Sequence, residues 1–418
     1  MYLARAIEDT IVRNAKGFKA ILVTGPRQVG KSTILKHLYE DIQYVTFDDP
    51  VLLEETKREP GLFFRNHKPP IILDEVQYIT ELFPYLKMEC DKSDENGKIF
   101  LTGSQQYHLM HNISESLAGR IGIFELSGIS YRELTQDSFR EPFLPTLSYI
   151  ESKRQFFQPC RDIWEIIHRG SYPALLTKET DVQTFYSSYV QTYRDRDINA
   201  LGHIQDKLKF TRFLTVMAAR TGQLLNYSKV AEHVDISVST VREWTSLLET
   251  SGIIYLLQPF SNSALTRAIK TPKLYFRYTG LICYLTKYQT AQTAMNGAMA
   301  GELFETYVVS EILKSYANAG KDYRMYVTFY RGKDKLRKSG SDSRMDVEAE
   351  IDLLIEQDDT IYPIEIKMSA NPKLHMTNAF DVLDRIPGKK RGTGGVVCMY
   401  SDVLWLNDNV VALPVEYV

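Results

Sequence analysis

The nine residues "GPRQVGKST", Gly25 to Thr33, follow the apolar run "AILVT" and lead into "ILKHLYE". A glycine, four open positions and then Gly-Lys-Ser is the spacing of a phosphate-binding loop, and nothing else in the chain constrains the fold so tightly. Gly25 and Gly30 let the backbone bend until successive N–H groups converge on phosphate oxygens. Pro26, Arg27, Gln28, Val29 and Thr33 complete the cradle, Lys31 reaches the β- and γ-phosphates, and Ser32 offers its hydroxyl to Mg²⁺. Such a loop needs a buried strand before it and a helix after it, and both flanks read that way.

A second apolar strand, "IILDE", carries Asp74 and Glu75 at its C-terminal end, where ligands sit in open parallel sheets. Asp74 is expected to support the Mg²⁺ through water. Glu75 is the natural base for an attacking water, because hydrolysis of a γ-phosphate needs that water oriented in line. The strand "YVTFDD" is expected to lie between the loop and this pair. In "FLTGS", Ser104 or Gln105 is placed to sense the γ-phosphate, although a plain Gly-Ser turn fits the same residues. Arg120, in "SLAGRIGIF", offers a positive charge to the transition state of its own nucleotide or a neighbour's; a salt bridge is the alternative role. The chain has no NKxD guanine reader, so ATP is expected rather than GTP.

Around these motifs, "AILVTG", "QYVTFDD", "PPIILDE", "KIFLTGS" and "GIFELS" alternate with helical patterns, which indicates an α/β domain with a largely parallel sheet. At 418 residues the chain exceeds what one core supports. We divide it into a P-loop ATPase core (1–127), a helical lid or connector (128–202), a winged helix-turn-helix (203–290) and a C-terminal α/β unit (291–418). In the third segment "DISVSTVREW" supplies a capped turn before a helix that ends at Gly252, with a strand pair following. A net charge of −2 excludes a uniformly basic nucleic-acid binder. Four scattered cysteines suggest neither a zinc site nor disulfides. The N-terminus lacks the unbroken apolar run of a signal peptide, and no window approaches a bilayer span, so a soluble cytoplasmic protein without a membrane partner is expected.

Near the other end, "YPIEIKMSANPK" spans Tyr362 to Lys373. Strand alternation puts Glu365 and Lys367 on one face, and in "EIDLLIE" it puts Glu350 and Asp352 together. Two adjacent strands thereby bring Asp352, Glu365 and Lys367 into one polar pocket, with Glu305 contributed by the preceding helix, which also carries Glu302. This is the PD-(D/E)XK arrangement, in which carboxylates hold Mg²⁺ and the lysine polarises the attacking water. Amphipathic strands with one polar face give the same pattern without a metal.

Taken in order, the loop, "LDE", "LTGS", "SLAGR", "YRDRDI", "TGQLLNYSKVA", "TPKLYFRYTG" and "GELFETYVVSEIL" resemble prokaryotic AAA-type ATPases fused to a C-terminal domain of unknown function with a restriction-endonuclease-like fold. The resemblance spans nearly the whole chain. It implies an ATPase core, a winged-helix segment and a nuclease-like tail, and no particular substrate. Tyr278 departs from it, standing where the family usually shows an Asp. For nucleic-acid contact the sequence offers Ser239, Thr240, Arg242 and Glu243 on a recognition helix, and Arg331, Lys333, Lys335, Arg337 and Lys338 in a charged Gly/Ser-rich loop. A connector winged helix and a solvated loop are their plainer readings. The expectation is an ATPase with ATP and Mg²⁺ as cofactors, coupled to a nuclease-like module acting on DNA or another nucleic acid. The alternative is an ATP-dependent switch or scaffold for protein partners whose tail lacks metal chemistry. A small-molecule kinase fits less well, since no acceptor pocket is evident. Arginines acting between subunits would require a homo-oligomer.

Overall fold

The computed structural model describes residues 2–103, 116–160, 162–198, 206–261, 271–337 and 344–418; of 196–198, 333–337 and 344–348 it describes the backbone alone. After helix α1 (Glu8–Ala15) come strand β1 (Ala20–Thr24), α2 (Lys31–Leu38), β2 (Gln43–Thr46), α3 (Pro50–Arg58) and α4 (Pro60–Asn66). β3 (Ile71–Asp74), α5 (Phe83–Asp91), β4 (Ile99–Gly103) and β5 (Ile121–Glu125) complete the first sheet. Its order is β2-β3-β4-β1-β5, and every pairing is parallel. Alternate residues feed two separate cores. Ile21, Val23, Ile72 and Phe100 point into one, while Ala20, Leu22, Ile71, Leu73, Ile99 and Leu101 point into the other. That two-sided burial is why these strands read as unbroken apolar runs.

The expected intervening strand is corrected here. β4, not β2, separates β1 from β3, and β2 takes the sheet edge. β2 is the more exposed strand, with only Val45 buried, and an edge position suits it.

Helices follow in α6 (Tyr131–Leu134), α7 (Leu147–Arg154), α8 (Ile163–Arg169), α9 (Pro173–Thr177) and α10 (Val182–Thr192), which runs into a π-helical turn at Tyr193–Ile198. An aromatic cluster of Tyr172, Phe185, Tyr186 and Tyr189 packs this segment, and Tyr278 stacks on Tyr172 with centroids 4.4 Å apart. The residue that departs from the resembled pattern is thus a buried packing group.

The next unit contains α11 (Lys207–Ala218), β6 (Gln223–Leu224), α12 (Tyr227–Val234), α13 (Val238–Thr250), β7 (Ile254–Leu257) and β8 (Lys273–Phe276). Ser237 caps α13 through the Thr240 amide, and Gly252, at φ +72°, ends it. The strand pair expected here is a three-stranded antiparallel sheet, order β6-β8-β7. Helices α14 (Thr279–Leu285) and α15 (Ala291–Met295) lead to α16 (Ala300–Asn318). Along α16 apolar residues occur on every side, Leu303, Phe304, Val308, Val309 and Ile312 among them, and all are buried.

The second large sheet holds β9 (Val327–Arg337), β10 (Arg344–Gln357), β11 (Thr360–Lys367), β12 (Lys390–Arg391), β13 (Gly394–Cys398), β14 (Leu404–Asn407) and β15 (Val410–Pro414). Its order is β14-β15-β13-β11-β10-β9, with β12 beside β11. Asp358 and Asp359, at φ +49° and +61°, make the two-residue turn between β10 and β11. Residues 331–337, expected in a loop, belong instead to β9 and pair with β10; Lys338 lies outside the described residues. Phe260 donates its amide to the Phe329 carbonyl at 2.6 Å, which joins the three-stranded sheet to this one. Among the described residues no helix is long and apolar enough to cross a membrane.

Candidate functional site

Beyond β1 the chain turns at Gly25 (φ +142°), reaches Gly30 (φ +99°) and enters α2 at Lys31. A Cβ on Gly25 would sit 2.1 Å from the Leu126 carbonyl oxygen, so only glycine fits. Gly30 caps α2 without a side chain, and the helix N-terminus faces the loop's interior as a place for an anion. Lys31 is buried and donates to the Pro26 carbonyl at 2.8 Å. Arg5 holds the loop from behind. Its guanidinium donates to the carbonyls of Val29 at 3.0 Å, Ser127 at 2.8 Å and Gly128 at 3.2 Å, and pairs with Glu133 at 3.1 Å. Because the peptide is planar and trans, a Val29 carbonyl turned toward Arg5 turns the Gly30 N–H the opposite way.

The acids lie where the loop needs them. Ser32 donates to Asp74 Oδ1 at 2.6 Å, and Tyr44 to Oδ2 at 2.5 Å. Thr102, on the intervening strand β4, also donates to Asp74. Burial and the contact with Asp74 push the Tyr44 phenol up, so it stays a donor. Glu75 sits in the left-handed region at φ +57°, rare for a residue with a side chain, and its amide donates to Thr102 at 3.2 Å. Gln77 donates to its carboxylate. A cavity of about 990 Å³ is lined by the loop from Arg27 to Thr33, by Glu75 and by Tyr2. From the helical segment, Ala174, Thr177, Lys178, Gln191 and Asp195 close it. Asp195 is held by Lys207 at 2.9 Å and by Arg194 at 3.3 Å.

Arg120 is not brought to this cavity. It precedes β5, level with the start of β1, and pairs with Asp91 at 2.6 Å. The loop leaves the other end of β1, about 17 Å away at ~3.3 Å per residue. The salt bridge offered as the plainer role is the one present. Ser104 and Gln105 lie outside the described residues.

The C-terminal residues do come together. Lys367 Nζ is 2.6 Å from Glu365 and 3.2 Å from Asp352, whose carboxylate also accepts the Ile366 amide at 2.9 Å. The β9–β10 register shifts between Ile351 and Leu354, a bulge beside Asp352 that bends the strand there. Lys273 was not foreseen. It reaches in from β8 with Nζ 2.6 Å from Glu350, 3.5 Å from Glu305 and 3.8 Å from Asp352. Tyr275 adds a 2.5 Å hydrogen bond to Glu305. Burial and the nearby Asp352 push the Glu305 carboxyl up to about 7, against the pull of Lys273. Burial lowers the Lys273 ammonium, but Glu305, Asp352 and Glu350 together hold it above its ordinary value. Glu302 takes no part in these pairs.

Three stretches of the chain match known domains. Residues 17–135 match the model of an AAA domain. That stretch is similar to AAA-type ATPase domains. Residues 160–292 and 300–418 match two domains of unknown function, DUF8612 and DUF4143. Uncharacterized proteins of Mycobacterium bovis and Mycobacterium tuberculosis are each 24% identical over 401 residues, spanning 95% of this chain and 80% of theirs. Among solved structures, a Walker-type ATPase of Pyrococcus abyssi covers 68% of this chain and 96% of its own at 15% identity and a TM-score of 0.43. RuvB of Thermotoga maritima covers 60% and 86% at 17% identity, with a TM-score of 0.28.

Two metal positions can be tested on chemistry. At the AAA domain, the Ser32 hydroxyl and Asp74 carboxylate are hard oxygen donors beside the phosphate loop, which suits Mg²⁺ with nucleotide and water completing its shell. The C-terminal carboxylates do not fit an ion, because the ammonium groups of Lys273 and Lys367 already stand among them. Among the described residues no group of three or more His, Cys, Asp or Glu side chains is arranged to hold a metal. Sequence reasoning missed Arg5, Tyr44, Lys273 and Asp195. Asp195 stands within "YRDRDI", Tyr44 opens "YVTFDD" and Lys273 lies in "TPKLYFRYTG", so those strings carried a signal; Arg5 stands in none of them.

Proposed function

We propose that the protein binds ATP with Mg²⁺ at the Gly25–Thr33 loop, hydrolyses it, and acts as a nucleotide-driven switch. The observation that carries this is that Ser32 and Glu75 line one cavity with the phosphate loop, while Asp74 stands behind Ser32 as its hydrogen-bond acceptor at 2.6 Å. Lys31 and the N-terminus of α2 bind the phosphates. When bound, Mg²⁺ supplies neutralising charge to the β- and γ-phosphate oxygens. Ser32 and Asp74 hold its position, and Tyr44 and Thr102 orient Asp74. Glu75 orients and deprotonates the attacking water, and the residues from Ala174 to Asp195 exclude bulk solvent.

The switch has a physical route to the rest of the chain. Arg5 touches both the loop carbonyl of Val29 and Glu133, and Glu133 forms a capping box with Ser130 at the start of α6. The next amide, that of Tyr131, donates to Glu311 of α16 at 2.8 Å. In this reading the unit from α11 to β8 is a connecting winged helix and the C-terminal sheet a nuclease-like fold without metal chemistry. Nucleic-acid binding is a second reading, supported by Ser239, Arg242 and Glu243 standing exposed on α13. Phosphate release by the wild type, Lys31→Ala and Glu75→Gln is the test. The reading expects Lys31→Ala to lose turnover, and Glu75→Gln to keep ATP binding while losing hydrolysis. Unchanged turnover in Lys31→Ala contradicts it. Stimulation of turnover by DNA or RNA, abolished by Arg242→Ala, supports the second reading.

A further inference from the structure

The carboxylates of the C-terminal sheet come from three elements: Glu305 from α16, Glu350 and Asp352 from β10, and Glu365 from β11. Carboxylates this close repel one another unless a cation stands among them. Here that cation belongs to a different unit. Lys273 opens β8 of the three-stranded sheet, is 3% exposed along its side chain, and places Nζ within 4 Å of three of the four acids. Lys367 serves the remaining one and shares Asp352.

We infer that Lys273 is a built-in cation occupying the place of a divalent metal in the C-terminal carboxylate cluster, and that it clamps this unit to the three-stranded sheet. A hard divalent ion needs about six oxygens at ~2.0–2.6 Å. The oxygens that would supply them are turned on the ammonium at 2.6, 3.5 and 3.8 Å, and two cations do not share that volume. The lysine ammonium also stands over the Phe329 ring, with Nζ 5.6 Å from its centroid, which adds a contact with β9. The clamp crosses the seam where Phe260 and Phe329 join the two sheets. A divalent ion therefore enters only if Lys273 withdraws, which requires the two sheets to part. This inference stands apart from the ATPase reading.

The test is Mn²⁺ uptake by the full chain without nucleotide, read from the spectrum of free Mn²⁺, in wild type, Lys273→Met, Asp352→Asn and the double variant. Wild type and Asp352→Asn should bind equally, since the cluster holds no ion. Lys273→Met should gain one Mn²⁺ per chain, with affinity at least tenfold above wild type, and the double variant should lose the gain. Folding is checked by ATP turnover of each variant. If Lys273→Met does not fold, wild type against Asp352→Asn still decides: equal uptake supports the inference. Wild-type uptake that Asp352→Asn removes overturns it, as does a folded Lys273→Met that gains nothing.

Discussion

Two sites of the chain combine lysine with carboxylates, and they are built differently. At the phosphate loop, Lys31 rests on a backbone carbonyl while Asp74 is held by three hydroxyls, those of Ser32, Tyr44 and Thr102. No lysine or arginine is paired with Asp74 among the described ion pairs, so its charge remains available to a cation arriving with nucleotide. At the C-terminal sheet the acids meet two ammonium groups of the chain itself. Hydroxyls orient a carboxylate; ammoniums consume it. The difference teaches that spacing brings acids together, and that the donors around them decide whether an ion follows.

That contrast can be broken most severely at the loop. Lys31→Ala or Glu75→Gln should lower ATP turnover by about 100-fold or more, the scale of a lost general base or phosphate-stabilising charge. Asp352→Asn and Lys367→Ala should leave turnover unchanged; a comparable drop in either would merge the two sites. The next largest effect is on stability. Lys273→Ala leaves Glu305, Glu350 and Asp352 facing one another and should destabilise the chain by about 3 kcal/mol in urea unfolding, as for a broken buried pair.

Arg5 sharpens the loop side. Arg5→Ala should raise KM for ATP by about tenfold with a smaller change in kcat. Arg5→Lys should rescue little, because a single ammonium cannot span three carbonyls and a carboxylate. Glu133 gives the matching pH dependence. Burial raises its carboxyl, but Arg5 and the amides of Ser130 and Ala6 hold it below the usual 4.5. Its stabilisation is therefore complete above that value and is lost as pH falls below it toward the depressed folded pKa. Unfolding midpoints between pH 6 and 3 should fall less steeply in Glu133→Gln than in wild type. Smallest of all, Arg120→Ala should change turnover by less than about twofold and leave the unfolding midpoint nearly where it is in wild type, as expected for an exposed pair.

Much of the first sheet was legible because its strands are buried on both faces and bounded by glycines, as "AILVTG" and "KIFLTGS" show. Strand order was not legible, since β4 inserts beside β1 through long-range pairing that leaves no local trace. Asp352, Glu365 and Lys367 were correctly grouped by alternation, a period-2 property of each strand. Lys273 was missed because its partners are 32 or more positions away and its own surroundings, "TPKLYF", look like an ordinary strand start. Arg5 was hidden for the same reason, its contacts lying 24 and more positions along the chain. The cavity wall from the helical segment depends on how that segment folds back over the loop, which no motif encodes.

The most direct measurement is the number of Mn²⁺ ions bound per chain in the presence of a slowly hydrolysed ATP analogue. One ion is predicted, lost in Asp74→Asn and retained in Asp352→Asn. Two ions, or a single ion that depends on Asp352, would contradict the account.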